Sequence, residues 1–166
     1  MATFYTNTPM AFGDDDAVTD VYTYQAFPLG MYREEDGKGY RFVQYDNGTG
    51  NLACVAGKLA YFFADTGTFV VTMDVSDSDR NKVRGVFAAV IADQGYGWIQ
   101  TKGVCTVATN GDDDIAEGDA VIASAAGDGT ADSTAQDTAP TNRVVGWALA
   151  ADSDGGDTVV TDLCLD

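Results

Sequence analysis

The chain has 166 residues and carries 26 acidic side chains against 9 basic ones, so its formal net charge is −17. It contains no histidine, which excludes Ser-His-Asp and Cys-His catalysis and histidine-ligated metal sites. The acidic excess argues against a nucleic-acid partner and against an anionic membrane, because both are bound mainly through lysine and arginine. Hydrophobic residues make up 45% of the chain, which is enough to form the core of one domain.

Amino-acid usage favours an all-β fold. The chain has 17 valines and 18 threonines but only 6 leucines, and β-branched side chains suit strands better than helices. Of the acidic residues, 23 are aspartates, which favour turns, and 3 are glutamates, which favour helices. Together with 19 glycines, this composition predicts a small β-barrel or β-sandwich with many turns.

The first segment, residues 1–16, is predicted to be an extended N-terminal arm. Residues 1–12 are apolar and aromatic without a clear period, and aspartates at 14–16 separate them from the rest of the chain. Such an arm either lies across a neighbouring subunit or forms an edge strand of its own domain. In the first case its partner-contact residues are expected to be Phe4, Tyr5, Pro9, Met10 and Phe12.

Strands follow the arm and are identified by side chains that alternate between two faces. In residues 157–165, for example, Val159, Thr161 and Leu163 share one face. The stretch 82–92 fits either a short helix or a strand, and the small, polar stretch 124–142 is predicted to be a long surface loop. Further strands are predicted at 18–24, 40–45, 58–63, 69–75, 96–100, 103–108, 119–123 and 143–149.

A shift in charge divides the chain near residue 103. Residues 1–102 hold 8 basic and 13 acidic side chains, a net charge of 8 − 13 = −5, and residues 103–166 hold 1 and 13, a net charge of 1 − 13 = −12. We therefore expect an N-terminal β region at 17–102 and an acidic C-terminal β region at 103–166, the latter a small barrel or sandwich, joined in one compact unit. The acidic region is expected to face solvent, with the nearly neutral region against a partner.

No residue pattern points to catalysis, to a cofactor or to a bound metal. The stretch from Asp77 begins like a calcium-binding EF-hand loop, but Lys82 replaces the required glycine and Ala88 the required glutamate. The acidic runs 112–114 and 152–157 are interpreted as solvated turn residues, with a weak cation site as the alternative. A pair of carboxylates for glycoside hydrolysis is the enzymatic alternative.

Cysteines and tryptophans allow a structural and a functional interpretation. Cys54, Cys105 and Cys164 are widely spaced and lack CxxC spacing, so they are expected to be buried free thiols. Trp98 and Trp147 occur in strand-like runs, where each either packs in the core or is exposed at a subunit contact. Of the two, Trp98 is the candidate for a partner contact.

Short motifs occur in order along the chain, and two of them share the pattern Gly-Tyr-x-aromatic-β-branched-Gln. That single match is weak evidence for an internal duplication. The motifs are GYRFVQ at 39–44, AGKL at 56–59, GYGWIQTKG at 95–103, EGDAV at 117–121 and RVVGWAL at 143–149. This ordered set resembles the head decoration (cement) proteins of tailed phages, including the lambda-like β-tulip group.

The resemblance implies an all-β, barrel-like protein, commonly a homotrimer, that binds the outside of a phage head and stabilises the shell. Its partners would be the major capsid protein and further copies of itself, and it would need neither a catalytic group nor a cofactor. It would be made in the host cytoplasm and end on the outer surface of the virion. The alternative is a receptor- or glycan-binding domain of a phage tail or fibre, which would expose Trp98 or Trp147.

Overall fold

The computed structural model describes residues 16–63, 69–78, 82–111, 115–125, 127–135, 138–140, 142–152 and 158–165. Within these ranges the chain forms β-strands and one 3₁₀ turn, and no α-helix. The all-β prediction is therefore confirmed for the described part of the chain. In chain order the strands are β1 (Tyr32–Glu35), β2 (Lys38–Tyr45), β3 (Leu59–Phe62), β4 (Val70–Thr72), β5 (Val83–Phe87), β6 (Tyr96–Ala108), β7 (Ala120–Ala123), β8 (Ala131–Thr134), β9 (Val144–Ala148) and β10 (Thr158–Cys164).

Five strands close into a small barrel in the order β2-β4-β3-β5-β6, because β6 returns to pair with β2. The β2–β4 pair is parallel, and the other strand pairs are antiparallel. Strand β1 pairs with the first half of β2, and β4 pairs with the last two residues of β2. Closure leaves the barrel strands without free edges along the paired segments.

Strand β6 joins the barrel to a second group of strands. Its first half pairs with β2 and β5, and its second half pairs with β10, from which the sheet continues to β9, β7 and β8. The regional boundary expected at residues 102 and 103 falls inside this strand. A single cluster of buried side chains draws on both groups of strands, including Leu59, Tyr61, Val107, Val145 and Leu163.

Most of the strand predictions are confirmed, but the one at 69–75 is confirmed only in part, because β4 covers Val70–Thr72 and the 3₁₀ turn begins at Val75. In β10, Val159, Thr161 and Leu163 are buried, whereas Val160 and Asp162 between them are exposed. The predicted strands at 40–45, 58–63, 119–123 and 143–149 correspond to β2, β3, β7 and β9. The segments 96–100 and 103–108 are one continuous strand, β6, and the ambiguous stretch 82–92 contains the strand β5.

Other element predictions are wrong, because strand pairing over long sequence distances decides them. The sequence does not predict the closed barrel of the N-terminal region, because closure depends on the pairing of Tyr40 with Gln100. The division into two β regions stays a prediction. Residues 18–24 form no strand, and Tyr22 makes only an isolated bridge with Tyr96. The expected loop at 124–142 contains β8, whose first residue Ala131 is fully buried against its neighbours.

The two hexapeptides that share the Gly-Tyr-x-aromatic-β-branched-Gln pattern, at 39–44 and 95–100, pair with each other along β2 and β6. Phe42 lies opposite Trp98, and Gln44 lies opposite Tyr96, so the two segments meet in antiparallel register. The Phe42 ring centroid is 5.1 Å from that of Trp98 and 5.2 Å from that of Phe27, both within the range of favourable aromatic contacts. The repeated pattern therefore supplies an aromatic cluster on one side of the barrel.

Candidate functional site

The outward side of β6, β10 and β9, together with the residue that follows β9, carries four large apolar side chains. Val104, Trp147, Leu149 and Val160 are 46, 50, 46 and 39% exposed, and we call this set the outer apolar face. The three strands are neighbours in the sheet, so the four side chains occupy one continuous surface. Exposed apolar residues gathered on one surface mark interaction sites more often than scattered ones do.

Strand register places the side chains of the outer apolar face next to one another. Asp162 on β10 lies opposite Val104 on β6 and opposite Trp147 on β9. Two residues earlier in β10, the carbonyl of Val160 accepts a hydrogen bond of 2.8 Å from the backbone N–H of Leu149. Side chains opposite each other on adjacent strands lie within about 5.5 Å at Cβ, so the face is apolar around one central carboxylate.

The close packing of β9 against β10 explains why Trp147 points outward. Its neighbours along the chain, Gly146 and Ala148, belong to the buried side of β9. A Cβ at Gly146 would lie 2.2 Å from the backbone oxygen of Asp162, so only glycine allows β9 to approach β10 this closely. The close approach fixes the position of the indole on the outer surface.

The structure corrects the choice between the two tryptophans. Trp98 is 1% exposed and packs between Phe42 and Phe27, so it belongs to the core and offers almost no surface to a partner. Trp147 is the exposed one, and sequence alternation could not have distinguished it, because Val145, two residues earlier, is fully buried. The other predicted contact residues, Phe4, Tyr5, Pro9, Met10 and Phe12, lie outside the described residues.

Acidic side chains in the described ranges hold loops together. The hydroxyl of Ser76 donates a hydrogen bond to the carboxylate of Asp74, as do the backbone N–H groups of Ser76 (2.9 Å) and Gly50 (3.0 Å). These hydrogen bonds, above all the one from the hydroxyl, lower the pKa of the Asp74 carboxyl below its ordinary value. Asp77 accepts from the hydroxyl of Thr49 at 2.9 Å. Among the described residues, no group of three or more cysteines, aspartates or glutamates is arranged to bind a metal ion. The acidic run 112–114 and most of 152–157 lie outside them.

The cysteines are free thiols in three different environments. Cys54 is buried, Cys105 is intermediate and Cys164 is exposed, so the expectation that all three are buried is confirmed for Cys54, holds only partly for Cys105 and is wrong for Cys164. Burial raises the pKa of Cys54 and of Cys105 to about 11, which keeps both thiols protonated at neutral pH. Low nucleophilicity follows for these two side chains.

Three cavities have volumes of about 370, 260 and 420 Å³, and none of the three has a pair of carboxylates among the described residues that line it. Those residues include no acidic side chain in the first cavity, Asp93 in the second and Asp162 in the third. No helix within the described ranges is long and apolar enough to cross a membrane.

Comparison with known proteins gives little further information. No family model matches the chain, and no curated protein matches it. Among solved structures, the N base of the head fibre gp8.5 of bacteriophage phi29 is similar, with a TM-score of 0.47 and 17% sequence identity. The similarity covers 76% of this chain and 94% of that chain. At this level it carries no argument about what this chain does.

Proposed function

We propose that this protein is a capsid decoration protein: a non-enzymatic protein that binds the major capsid protein on the outside of a phage head and stabilises the shell. The observation that carries the proposal is the ordered set of sequence motifs between residues 39 and 149. A homotrimer and a position on the outer surface of the virion belong to the same proposal, because the resemblance to decoration proteins implies both.

The motifs coincide with positions that the fold requires. In EGDAV, Gly118 has a φ of 88°, which favours glycine, and the Asp119 carboxylate accepts a hydrogen bond of 3.0 Å from the backbone N–H of Ala116. In RVVGWAL, Gly146 permits the close contact between β9 and β10. The motifs thus mark specific turns and strand contacts, which supports a shared fold as the origin of the resemblance.

The outer apolar face supplies a docking surface for this function. A tryptophan buried at the centre of an interface is among the side chains that contribute most to binding, typically about 2 kcal/mol or more. The net charge of −17 opposes non-specific association before assembly, so a local apolar surface can coexist with solubility. The face belongs to strands of the acidic region, and so we place the capsid contact there and not on the nearly neutral region expected from charge alone.

Binding to capsids tests this function. Undecorated capsids of the phage that encodes the protein are incubated with it, sedimented and heated. We expect saturable binding and a higher temperature of capsid disruption. No binding together with no gain in heat resistance would remove the proposed function.

A pair of variants tests the docking surface. Trp147→Ser removes the central aromatic side chain of the face and should weaken capsid binding at least about tenfold. Tyr24→Ser removes another exposed aromatic side chain, 67% exposed and outside the face, and should change the affinity less than about twofold. Equal effects of the two substitutions would place the contact elsewhere, and deletion of residues 1–12 then shows whether the arm provides it.

A receptor- or glycan-binding role is the second candidate, favoured by one observation. Trp147 is half exposed and lies opposite Asp162, and an aromatic face beside a hydrogen-bonding group is a common platform for a sugar ring. A glycan array separates the two functions. Binding of the wild type to a defined glycan, abolished in Trp147→Ser and without affinity for capsids, would favour the receptor role.

A further inference from the structure

A carboxylate lies in the middle of the outer apolar face. Asp162 is exposed on β10, opposite Val104 on one side and Trp147 on the other. Leu149 and Val160 complete the apolar surface around it. A partner that covers this face therefore also covers a charged group, and this constrains the chemistry of the partner.

Asp162 has no counter-ion among the described residues, and its carboxylate makes no hydrogen bond with any of them. Lys102 lies two positions further along the paired strands, opposite Cys164, but its Nζ atom is 4.0 Å from the Oε1 atom of Glu34. An exposed carboxylate is hydrated, and a partner that covers the face removes this hydration. Because a buried charge without a counter-ion is strongly destabilising, the partner has to supply a cation.

The charge of the surrounding sequence also favours a cationic partner. Residues 103–166, which include the outer apolar face, carry 13 acidic side chains against one basic one. The field of such a region attracts cations and repels acidic partners. It also disfavours a twofold contact between two copies of this chain centred on the face, because the two Asp162 carboxylates would then face each other.

We propose that the outer apolar face binds a protein segment that places an arginine between Trp147 and Asp162, with apolar side chains on either side of the arginine. Opposite residues on paired strands have Cβ atoms about 4.5–5.5 Å apart, so one guanidinium can stack on the exposed indole and also pair with the carboxylate. Arginine suits both groups better than lysine, because its planar fork stacks and donates two parallel hydrogen bonds. The apolar neighbours of the arginine cover Val104, Leu149 and Val160.

The inference rests on the proposed function for the source of this segment, which is then the major capsid protein. Free peptides test the recognition of arginine and capsids test its source, so the two can fail separately.

Titration of the full chain with short peptides, followed by NMR, tests the recognition of arginine. The probes are N-acetyl-Ser-Val-Arg-Val-Ser-amide and the same peptide with citrulline, which is planar but uncharged, or lysine in place of the arginine. The indole N–H resonance of Trp147 is assigned by its absence in Trp147→Ser and reports binding at the face. We expect the arginine peptide to shift it at millimolar concentrations or below, and the citrulline peptide to bind at least about fivefold more weakly. The lysine peptide should have an intermediate affinity.

Two aspartate variants identify the charge that the arginine meets. In Asp162→Asn the affinities of the arginine and citrulline peptides should differ less than about twofold, whereas Asp36→Asn, at an exposed aspartate outside the face, should keep the wild-type difference. Each of four results would overturn the inference: no shift of the Trp147 resonance by the arginine peptide, equal affinity of the arginine and citrulline peptides for the wild type, equal or tighter binding of the lysine peptide, or a difference that persists in Asp162→Asn. A Trp147 resonance that shifts with protein concentration alone would make a second copy the occupant and overturn it as well.

Undecorated capsids test the source of the arginine. Asp162→Asn should weaken capsid binding at least about tenfold, the usual effect of losing one member of a buried charge pair, and Asp36→Asn should change it less than about twofold. Equal capsid binding by the wild type and Asp162→Asn would overturn this inference and leave the proposed function in place. Selectivity for the arginine peptide without capsid binding by the wild type would remove the proposed function and leave the recognition of arginine at the face.

Discussion

At the scale of single residues, the aromatic cluster beside the paired strands β2 and β6 is the part of the core that we expect to be sensitive to side-chain truncation. Phe42 is fully buried, and its ring contacts those of Phe27, Trp98 and Tyr96. Truncation would leave a cavity among rigid rings that cannot collapse into it. The cost therefore includes both the lost apolar burial and the cavity itself.

We predict that Phe42→Ala lowers the free energy of unfolding by about 3–5 kcal/mol, measured by urea denaturation. Val90→Ala, at a side chain that is 61% exposed, should change it by less than about 0.5 kcal/mol. If the two substitutions cost the same, the cluster does not carry the stability assigned to it.

Asp74 links stability to pH. Asp74 is 3% exposed, and its carboxylate accepts hydrogen bonds from the hydroxyl and N–H of Ser76 and from the N–H of Gly50, so its pKa in the folded protein lies below the ordinary value of 3.8. A carboxyl with a lowered folded pKa stabilises the protein fully above its unfolded pKa, and this stabilisation is lost as the pH falls through the folded pKa. The sign follows because the unfolded state binds the proton more readily.

We therefore expect the free-energy difference between wild type and Asp74→Asn to be largest near neutral pH and to shrink as the pH falls below about 4. Urea denaturation of both proteins between about pH 7 and pH 2.5 measures it. Asp36→Asn, at an exposed aspartate, is the matched control and should show a much weaker pH dependence. A constant difference for Asp74→Asn across this range would mean that its hydrogen bonds do not favour the ionised form.

At the scale of elements, alternation predicts a strand only where one face is buried. It succeeds for β10, in which buried Val159 and Leu163 alternate with exposed residues. It fails for β8, whose sequence is Ala-Asp-Ser-Thr. Only Ala131 is buried in this strand, so the sequence shows no apolar face that would predict it. It also fails for 18–24, where a favourable pattern around Tyr22 finds only one bridging partner.

Sites formed between distant strands cannot be derived from local patterns. Trp147 was recognisable as one of two possible contact residues, but the choice needed the register of β9 against β10. The cavity lined by Arg41, Arg84 and Arg143 gives no local signal at all, because these residues are separated by more than forty residues each. Only the pairing order of the barrel strands places them around one cavity.

The contact between β9 and β10 leads to a prediction at this scale. Gly146→Ala would set a Cβ against the backbone of Asp162 and push the strands apart, costing about 3 kcal/mol, at the upper end of overpacking effects. Gly37→Ala meets no atom within 4 Å and costs only the strain of its φ of 76°, about 1 kcal/mol. Urea denaturation compares the two proteins.

Hydrogen exchange provides the local readout for the same pair of variants. The N–H of Leu149, which donates to the carbonyl of Val160, should exchange faster in Gly146→Ala and not in Gly37→Ala. Unchanged protection of Leu149 in both variants would show that β9 tolerates the added methyl group without moving.

At the scale of the whole molecule, apolar surface and positive charge collect at two different places. The outer apolar face lies on the strands of the acidic region and suits a partner that buries tryptophan. Arg41, Arg84 and Arg143, three of the nine cations of the chain, line one cavity where the barrel meets that region. Neither place requires the molecule as a whole to lose its negative charge.

The net charge itself should lower the stability of the folded state, because like charges are closer together in the compact chain than in the unfolded one. Added NaCl screens this repulsion, and we predict that Tm rises between about 0.02 and 0.5 M NaCl. A gain on the order of 1 kcal/mol corresponds to about 2–4 °C for a chain of this size.

The double variant Asp36→Asn/Asp162→Asn, which changes two exposed aspartates, has a net charge of −17 + 2 = −15 and should show a smaller rise than the wild type. A specific effect of chloride or sodium on folding would not depend on these two charges. Equal rises in the two proteins, or a Tm that falls with salt, would show that the acidic side chains are spaced widely enough for their repulsion to be negligible in the folded molecule.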